Sequence, residues 1–131
     1  MVECELVRIV IDEHHDEQVI VLRECRGERS FPIVIGIFEA TVIDRVLKEK
    51  RAERPLTHDL LCAVVRALGG ELCAVAIESV AEDVFFASLV LKSPAGAEVR
   101  VDARPSDAVA LALHERVPIL VAEAVLDRPP R

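Results

Sequence analysis

Two short segments carry the residue types most able to do chemistry: Arg54-Pro55-Leu56-Thr57-His58-Asp59 and Asp102-Ala103-Arg104-Pro105-Ser106-Asp107. Both place an Arg-Pro pair before a hydroxyl residue and an Asp, and both lead into an apolar run. Proline suits the first position of a helix because it has no N–H to lose there, and Ser or Thr can cap the free amides. Each segment therefore reads as a loop that delivers an arginine and a carboxylate to the first turn of a helix. Such a corner can hold an anion or a metal, and it is also an ordinary way to begin a helix. In the ordinary account Thr57 is an N-cap, Asp59 answers the positive end of the helix dipole, Ser106 or Asp102 caps the later helix, and Arg104 pairs with Asp107 or Asp102. His58 gains nothing from that end of a dipole.

The elements that must position these corners repeat. Glu5-Leu6-Val7-Arg8-Ile9-Val10-Ile11 is echoed by Glu71-Leu72-Cys73-Ala74-Val75-Ala76-Ile77, and the same displacement takes Ile33 to Val99 and Ile35 to Val101. An acid-Ala pair follows in both halves, Glu39-Ala40 and Asp107-Ala108. Each half reads strand, strand, strand, helix, as a duplication would leave it. The first half has a strand near 5–11, a polar hairpin turn over 12–17 and a continuous apolar strand at 19–22, as a central strand covered on both faces would show. Strand 31–35, Gly36 at the strand-to-helix corner and a helix with Ala40, Ile43 and Leu47 on one stripe complete it. A second helix carries Leu61, Val64, Val65 and Leu68 and stops at Gly69-Gly70. Strands near 72–79, 83–92 and 97–102 precede a third helix, 108–113, so apolar that it must be buried between layers or against another subunit. A last strand at 117–121 leaves 127–131 as a frayed tail. The expected architecture is α+β: a duplicated strand-strand-strand-helix unit forming a mixed, largely antiparallel sheet packed with helices. The expected domain is 1–126.

In this order and spacing, four segments resemble the bifunctional nuclease domain, a bacterial and plant family. They are Phe31-Pro32-Ile33-Val34-Ile35-Gly36 with Glu39-Ala40, the stretch 54–61, Phe85-Phe86-Ala87, and 102–108 followed by Ala110-Leu111-Ala112. The resemblance implies a nuclease acting on DNA and RNA by metal-assisted phosphodiester hydrolysis, and a homo-oligomer, dimer or trimer. Such an enzyme needs carboxylates for Mg²⁺ or Mn²⁺, a means of activating water, and cations for phosphate. On that reading Glu39, Asp59, Asp102 and Asp107 are the candidate acids, with Glu39, Asp102 and Asp107 as metal ligands. His58 is base or orienter, Arg54 and Arg104 steady the phosphate, and Thr57 and Ser106 contact substrate. A pseudo-twofold between the halves would bring Glu39 and Asp107 face to face across a cleft. Similar members often carry Thr and Tyr where Val84 and Phe86 stand here, so two hydroxyls are missing.

Composition argues the other side. The chain has 131 residues, 16 basic and 23 acidic, for a net charge of −7, which is no basic footprint for nucleic acid. Arg45, Lys48, Lys50, Arg51 and Arg54 form its one basic stretch. Aromatics are 3%, without Trp or Tyr, and Phe31, Phe38, Phe85 and Phe86 read as core rather than as base-stacking groups. The rival reading is a non-catalytic oligomeric module binding a small anion or a partner protein. Cys4, Cys25, Cys62 and Cys73 form no Cys-x-x-Cys motif. Cys62 and Cys73 fall on apolar positions, and without an export signal reduced thiols in a cytoplasmic protein are expected. No apolar run is long enough to span a bilayer. His14 and His15 read as an exposed turn, and His114 as a favourable partner for a helix C-terminus.

Overall fold

The alternation of Cys4 with its neighbours, and of Gln18, Ile20 and Leu22 with theirs, buries one face of each of the first two strands. In the computed structural model, which describes residues 1–12, 14–50 and 52–128, these are β1 (Val2–Val10) and β2 (Glu17–Glu24). Their hairpin turn is stitched by buried Gln18, whose Nε2 donates to the carbonyls of Asp12 at 2.8 Å and His15 at 2.7 Å. His15 itself turns Nδ1 to Asp12 Oδ2 at 2.5 Å, so the turn histidine serves the turn. Glu13 of that turn, Arg51 of the basic stretch and residues 129–131 of the expected tail lie outside the described residues.

The chain continues through β3 (Ser30–Gly36), α1 (Ile37–Leu47), α2 (Thr57–Ala67), β4 (Glu71–Ala81), β5 (Val84–Lys92) and β6 (Glu98–Ala103). It ends with α3 (Pro105–Glu115), β7 (Ile119–Val121) and the short α4 (Glu123–Leu126). The strands form one sheet in the order β3-β2-β1-β7-β4-β5-β6. Two antiparallel three-stranded units thus flank β7, which pairs antiparallel with β1 and parallel with β4. The architecture is α+β with a mixed, mostly antiparallel sheet, and each unit ends in a helix, α1 or α3. Bulges at Leu6/Arg8 in β1 and at two places in β4 bend the strands. The sheet curls far enough for Phe31 of β3 and Phe85 of β5 to bring their ring centroids within 5.6 Å.

The core lies between the sheet and the pair α1–α3. Ile20, Leu22, Ile43, Val75, Ile77, Val109 and Val121 are fully enclosed, each contributing about 1.5–3 kcal/mol of burial. The third helix is buried through Ala108–Ala112, and its small side chains let it sit close against both the sheet and α1. Among the described residues, no helix is long and apolar enough to cross a membrane.

Several expectations are corrected. Phe38 is 83% exposed and Phe86 47% exposed, so only Phe31 and Phe85 serve the core. Cys73 is exposed, because it stands on the opposite face of β4 from Leu72. Val19 and Val21 are half-buried rather than enclosed, since the helices cover one face of β2. The apolar residues of α2 face outward, with Leu61, Val64 and Leu68 all exposed, and only Cys62 is buried. The reason is that α2 docks through a narrow mixed face, His58, Cys62 and Arg66, one helical turn apart. Arg66 pairs with Glu115 of α3. At the chain end, Asp127 bonds to Arg29 at 2.7 Å, and Arg128 lies 5.5 Å over the Phe85 ring, so these two tail residues are held.

Two measurements check this packing. Burial pushes the Cys4 thiol up to about 11 and, with the Glu115 carboxylate beside it, the Cys62 thiol up to about 12. A thiol-specific alkylating reagent at neutral pH is expected to modify exposed Cys25 and Cys73 in the native protein and the other two only after unfolding; native labelling of Cys62 would mean that α2 is not docked. Arg29 joins β3's approach to α4 by bonding Glu24, Glu123 and Asp127. Its hydrogen bonds hold Glu24 below the usual value of 4.5. A carboxylate lowered on folding stabilises above its unfolded pKa and loses that contribution as pH falls through the folded one. The stability gap between wild type and Arg29→Ala in urea titrations is therefore expected to be full above about pH 4.5 and to close on acidification; a gap that ignores pH would contradict the assignment.

Candidate functional site

After Pro55, Leu56 is extended and acts as the N-cap of α2, so Thr57, His58 and Asp59 are its first three helical positions. Thr57 is thus not the cap: the carboxylate of Asp59 reaches back and accepts the Leu56 N–H on Oδ2 at 2.9 Å. That leaves Asp59 Oδ1 free to face the protein. His114, in the last turn of α3, places Nε2 2.8 Å from it, and His58 places its own Nε2 3.3 Å from the same oxygen. The two imidazoles meet edge to face, with centroids 5.2 Å apart.

Burial is the main influence that lowers the His58 pKa, aided by His114 and Arg45 and opposed by Asp59. For Asp59, burial works against the charged form, but the Leu56 amide and the two imidazoles outweigh it and hold the carboxyl below its ordinary range. This trio lines an open cavity of ≈ 810 Å³ that is bordered by Arg45, Lys50 and Arg116. Glu49 and Glu53 also border it, so with Asp59 the wall has three cations and three carboxylates among the described residues. Two buried polar atoms here lack a hydrogen-bond partner among the described residues, Arg45 Nε and His114 Nδ1. The nearest ionic group to the latter is Glu115 Oε2 at 3.6 Å.

The second Arg-Pro corner lies elsewhere. Arg104 is the N-cap of α3, Pro105 and Ser106 follow, and Asp107 is third. Neither Ser106 nor Asp102 supplies a side-chain cap: Ser106 is buried inside the first turn, and Asp102 is an exposed residue of β6. Arg104 donates through Nε and the second amino nitrogen to both Asp107 oxygens, at 2.9 and 3.2 Å, and to Glu39 Oε1 at 2.9 Å. Its bonds to Asp107, and then to Glu39, raise its pKa further. The expected encounter of Glu39 with Asp107 does occur, but with a guanidinium between them. This corner borders a different groove, of ≈ 850 Å³, together with Val34, Val84 and Phe86. The positions where similar members carry Thr and Tyr are exposed on that groove.

The two corners are apart because α1 and α3 lie side by side in the same sense. Glu39 and Arg104 mark their N-terminal ends, and Glu49 and Arg116 pair at 3.2 Å just past their C-terminal ends. Arg54 is exposed, outside the cavity lining, and has no ionic partner among the described residues. The acids expected to hold a divalent cation do not come together as one ligand set among the described residues. Among the described residues, the sets of three potential ligand atoms within 4.8 Å of one another are His58–Asp59–His114 and Cys62–His114–Glu115. Glu39, Asp102 and Asp107 do not form one. Sequence reasoning saw Arg45 as part of the basic stretch and His114 as a partner for its own helix end, but placed neither beside His58 and Asp59. No local motif marks either, because each enters the site through the packing of α3 on its neighbours.

Two uncharacterized proteins of Mycobacterium tuberculosis, from strains CDC 1551 / Oshkosh and ATCC 25618 / H37Rv, are each 41% identical over 126 residues, covering 96% of this chain and 74% of the relative. The family model described as the bifunctional nuclease domain matches residues 20–130. The chain belongs to the bifunctional nuclease domain family.

Proposed function

We propose that this protein hydrolyses phosphodiester bonds in DNA and RNA, with the cavity at the start of α2 as its working site. The observation that carries this reading is the pair of imidazoles turned to one Asp59 oxygen on the wall of a cavity that Arg45, Lys50 and Arg116 border. Family membership supports the reaction class. In the reaction, water oxygen bonds to phosphorus, the ester P–O bond breaks, and a water proton ends on the leaving oxygen. His58, Asp59 and His114 are the groups that activate the water. The cations take up charge on the phosphate, where a planar guanidinium can meet two oxygens at once. The chain as a whole carries a net charge of −7, and among the described residues cations and carboxylates balance around the cavity, so binding depends on these few groups rather than on a broad field. Arg104, Glu39 and Asp107 pair with one another at the N-terminal ends of α1 and α3, and on this reading they stand outside the chemistry.

The rival, a non-catalytic oligomeric module in the cytoplasm, draws on a separate observation. Phe38 and Phe86 are exposed, with Val34 and Val84 also open around the second groove. One assay separates the two readings. Extensively purified protein is incubated with end-labelled single-stranded RNA and DNA, beside identically purified and folded His58→Ala, His114→Ala and Glu39→Gln proteins. Cleavage is expected from wild type, with a loss on the order of a hundredfold or more in either histidine variant and a change of no more than a few fold in Glu39→Gln. Equal loss in all three would move the chemistry to the α3 N-terminus, and no cleavage from any would leave the module as the better account.

A further inference from the structure

The trio in the cavity has a donor set unlike the one that Mg²⁺ prefers. Mg²⁺ takes oxygen ligands in near-ideal octahedral geometry, whereas imidazole nitrogen suits softer first-row dications. His58 Nε2, Asp59 Oδ1 and His114 Nε2 offer two nitrogens and one oxygen, all within 4.8 Å of one another. Four ligands at about 2.0–2.1 Å from a tetrahedral ion stand about 3.3 Å apart. The separations from Asp59 Oδ1 are 3.3 Å to His58 and 2.8 Å to His114, so these two lie near that spacing, and the two imidazole nitrogens lie within 4.8 Å of each other.

The hydrogen-bond pattern points the same way. To bond Asp59 in the absence of a metal, a neutral His114 must carry its proton on Nε2, which leaves Nδ1 as a lone pair. That atom is buried and has no hydrogen-bond donor among the described residues. With Nε2 on a metal the proton moves to Nδ1, which faces the Glu115 carboxylate 3.6 Å away. Metal-bound histidines commonly direct their second N–H to a carboxylate in this way. Cys62 belongs to the other group, with His114 and Glu115, and not to the one formed with Asp59. The third ligand on the other helix, His58, is held by the same docking of α2 that buries Cys62.

We infer that His58, Asp59 and His114 form a site for one first-row transition-metal dication of the Zn²⁺ class, ligated by His58 Nε2, Asp59 Oδ1 and His114 Nε2, with Glu115 supporting His114. The inference rests on reading this cavity as the place where water is activated, and it names how. Three protein ligands leave a coordination position for water, whose pKa a bound Zn²⁺ lowers towards about 7.

The test is titration calorimetry of metal-free, full-length protein with Zn²⁺, Mn²⁺ and Mg²⁺, without nucleic acid present. Saturable Zn²⁺ binding at about one ion per chain is expected, with Mn²⁺ weaker and Mg²⁺ far weaker. His58→Ala and His114→Ala should lose the saturable event, and Glu115→Gln should weaken it by about tenfold to a hundredfold. A protein lacking the turn pair, His14→Ala with His15→Ala, should retain it. Because a cavity variant can fail to fold, nitrogen-15 spectra of the wild-type histidines provide a second readout: Zn²⁺ should shift the Nε2 resonances of His58 and His114. No Zn²⁺ binding, binding that survives both histidine variants, or shifts confined to His14 and His15 would each overturn the site. Binding here without any cleavage would keep the metal site and remove the nuclease, so the two failures are distinguishable.

Discussion

Everything of functional interest in this molecule depends on how closely α3 lies against α1. The run Ala108–Ala112 is buried because small side chains let the helix sit between the sheet and its neighbour without displacing either. Ile43 of α1 is enclosed in the same core. Large-to-small changes in such a core generally cost about 2–5 kcal/mol, so the alignment of the two helices is strongly fixed. Once fixed, it decides which polar residues can meet. The N-terminal ends share Arg104, and the C-terminal ends border the cavity that holds His114.

The docking of α2 follows from that arrangement and is of a different kind. Its apolar residues point away from the body, and the face that touches α3 carries His58, Cys62 and Arg66 against His114 and Glu115. A helix attached by few apolar contacts gains less from burial, so its position depends on polar groups finding their partners. The same groups make up the candidate site. The candidate site and the attachment of the helix therefore share residues, which places two imidazoles and a carboxylate in half-buried surroundings instead of in open water. At the opposite corner, Arg104 bonds to Glu39 and Asp107 and is an exposed ion cluster, where solvent screens each charge.

Much of the fold was legible in the chain because its signals are local. The duplicated Glu-Leu strands, the polar turn at 12–17, Gly36 at the strand-to-helix corner and Gly69-Gly70 after α2 each act within a few residues. The two Arg-Pro corners were also visible as helix starts. Which face α2 buries was not, because an apolar stripe says that a face is apolar and not that a partner covers it. Phe38 misled in the same way, an aromatic residue in an apolar stretch that the sheet leaves exposed. The site was half legible. His58 stood out as a histidine at the wrong end of a dipole, while His114 matched the dipole at its own helix end and so looked explained. Only the approach of α2 to α3 reveals that both point at Asp59.

The central claim is that nucleic acid meets this protein at the α2–α3 cavity and not at the groove beside Arg104. The most direct measurement is amide chemical-shift mapping of the folded protein with a short single-stranded oligonucleotide whose phosphates resist hydrolysis. The account predicts shifts concentrated on Arg45, Lys50, Leu56–Leu60 and Leu113–Arg116. Shifts concentrated on Val34, Glu39, Val84, Phe86 and Asp102–Asp107, with the cavity residues unmoved, would contradict it.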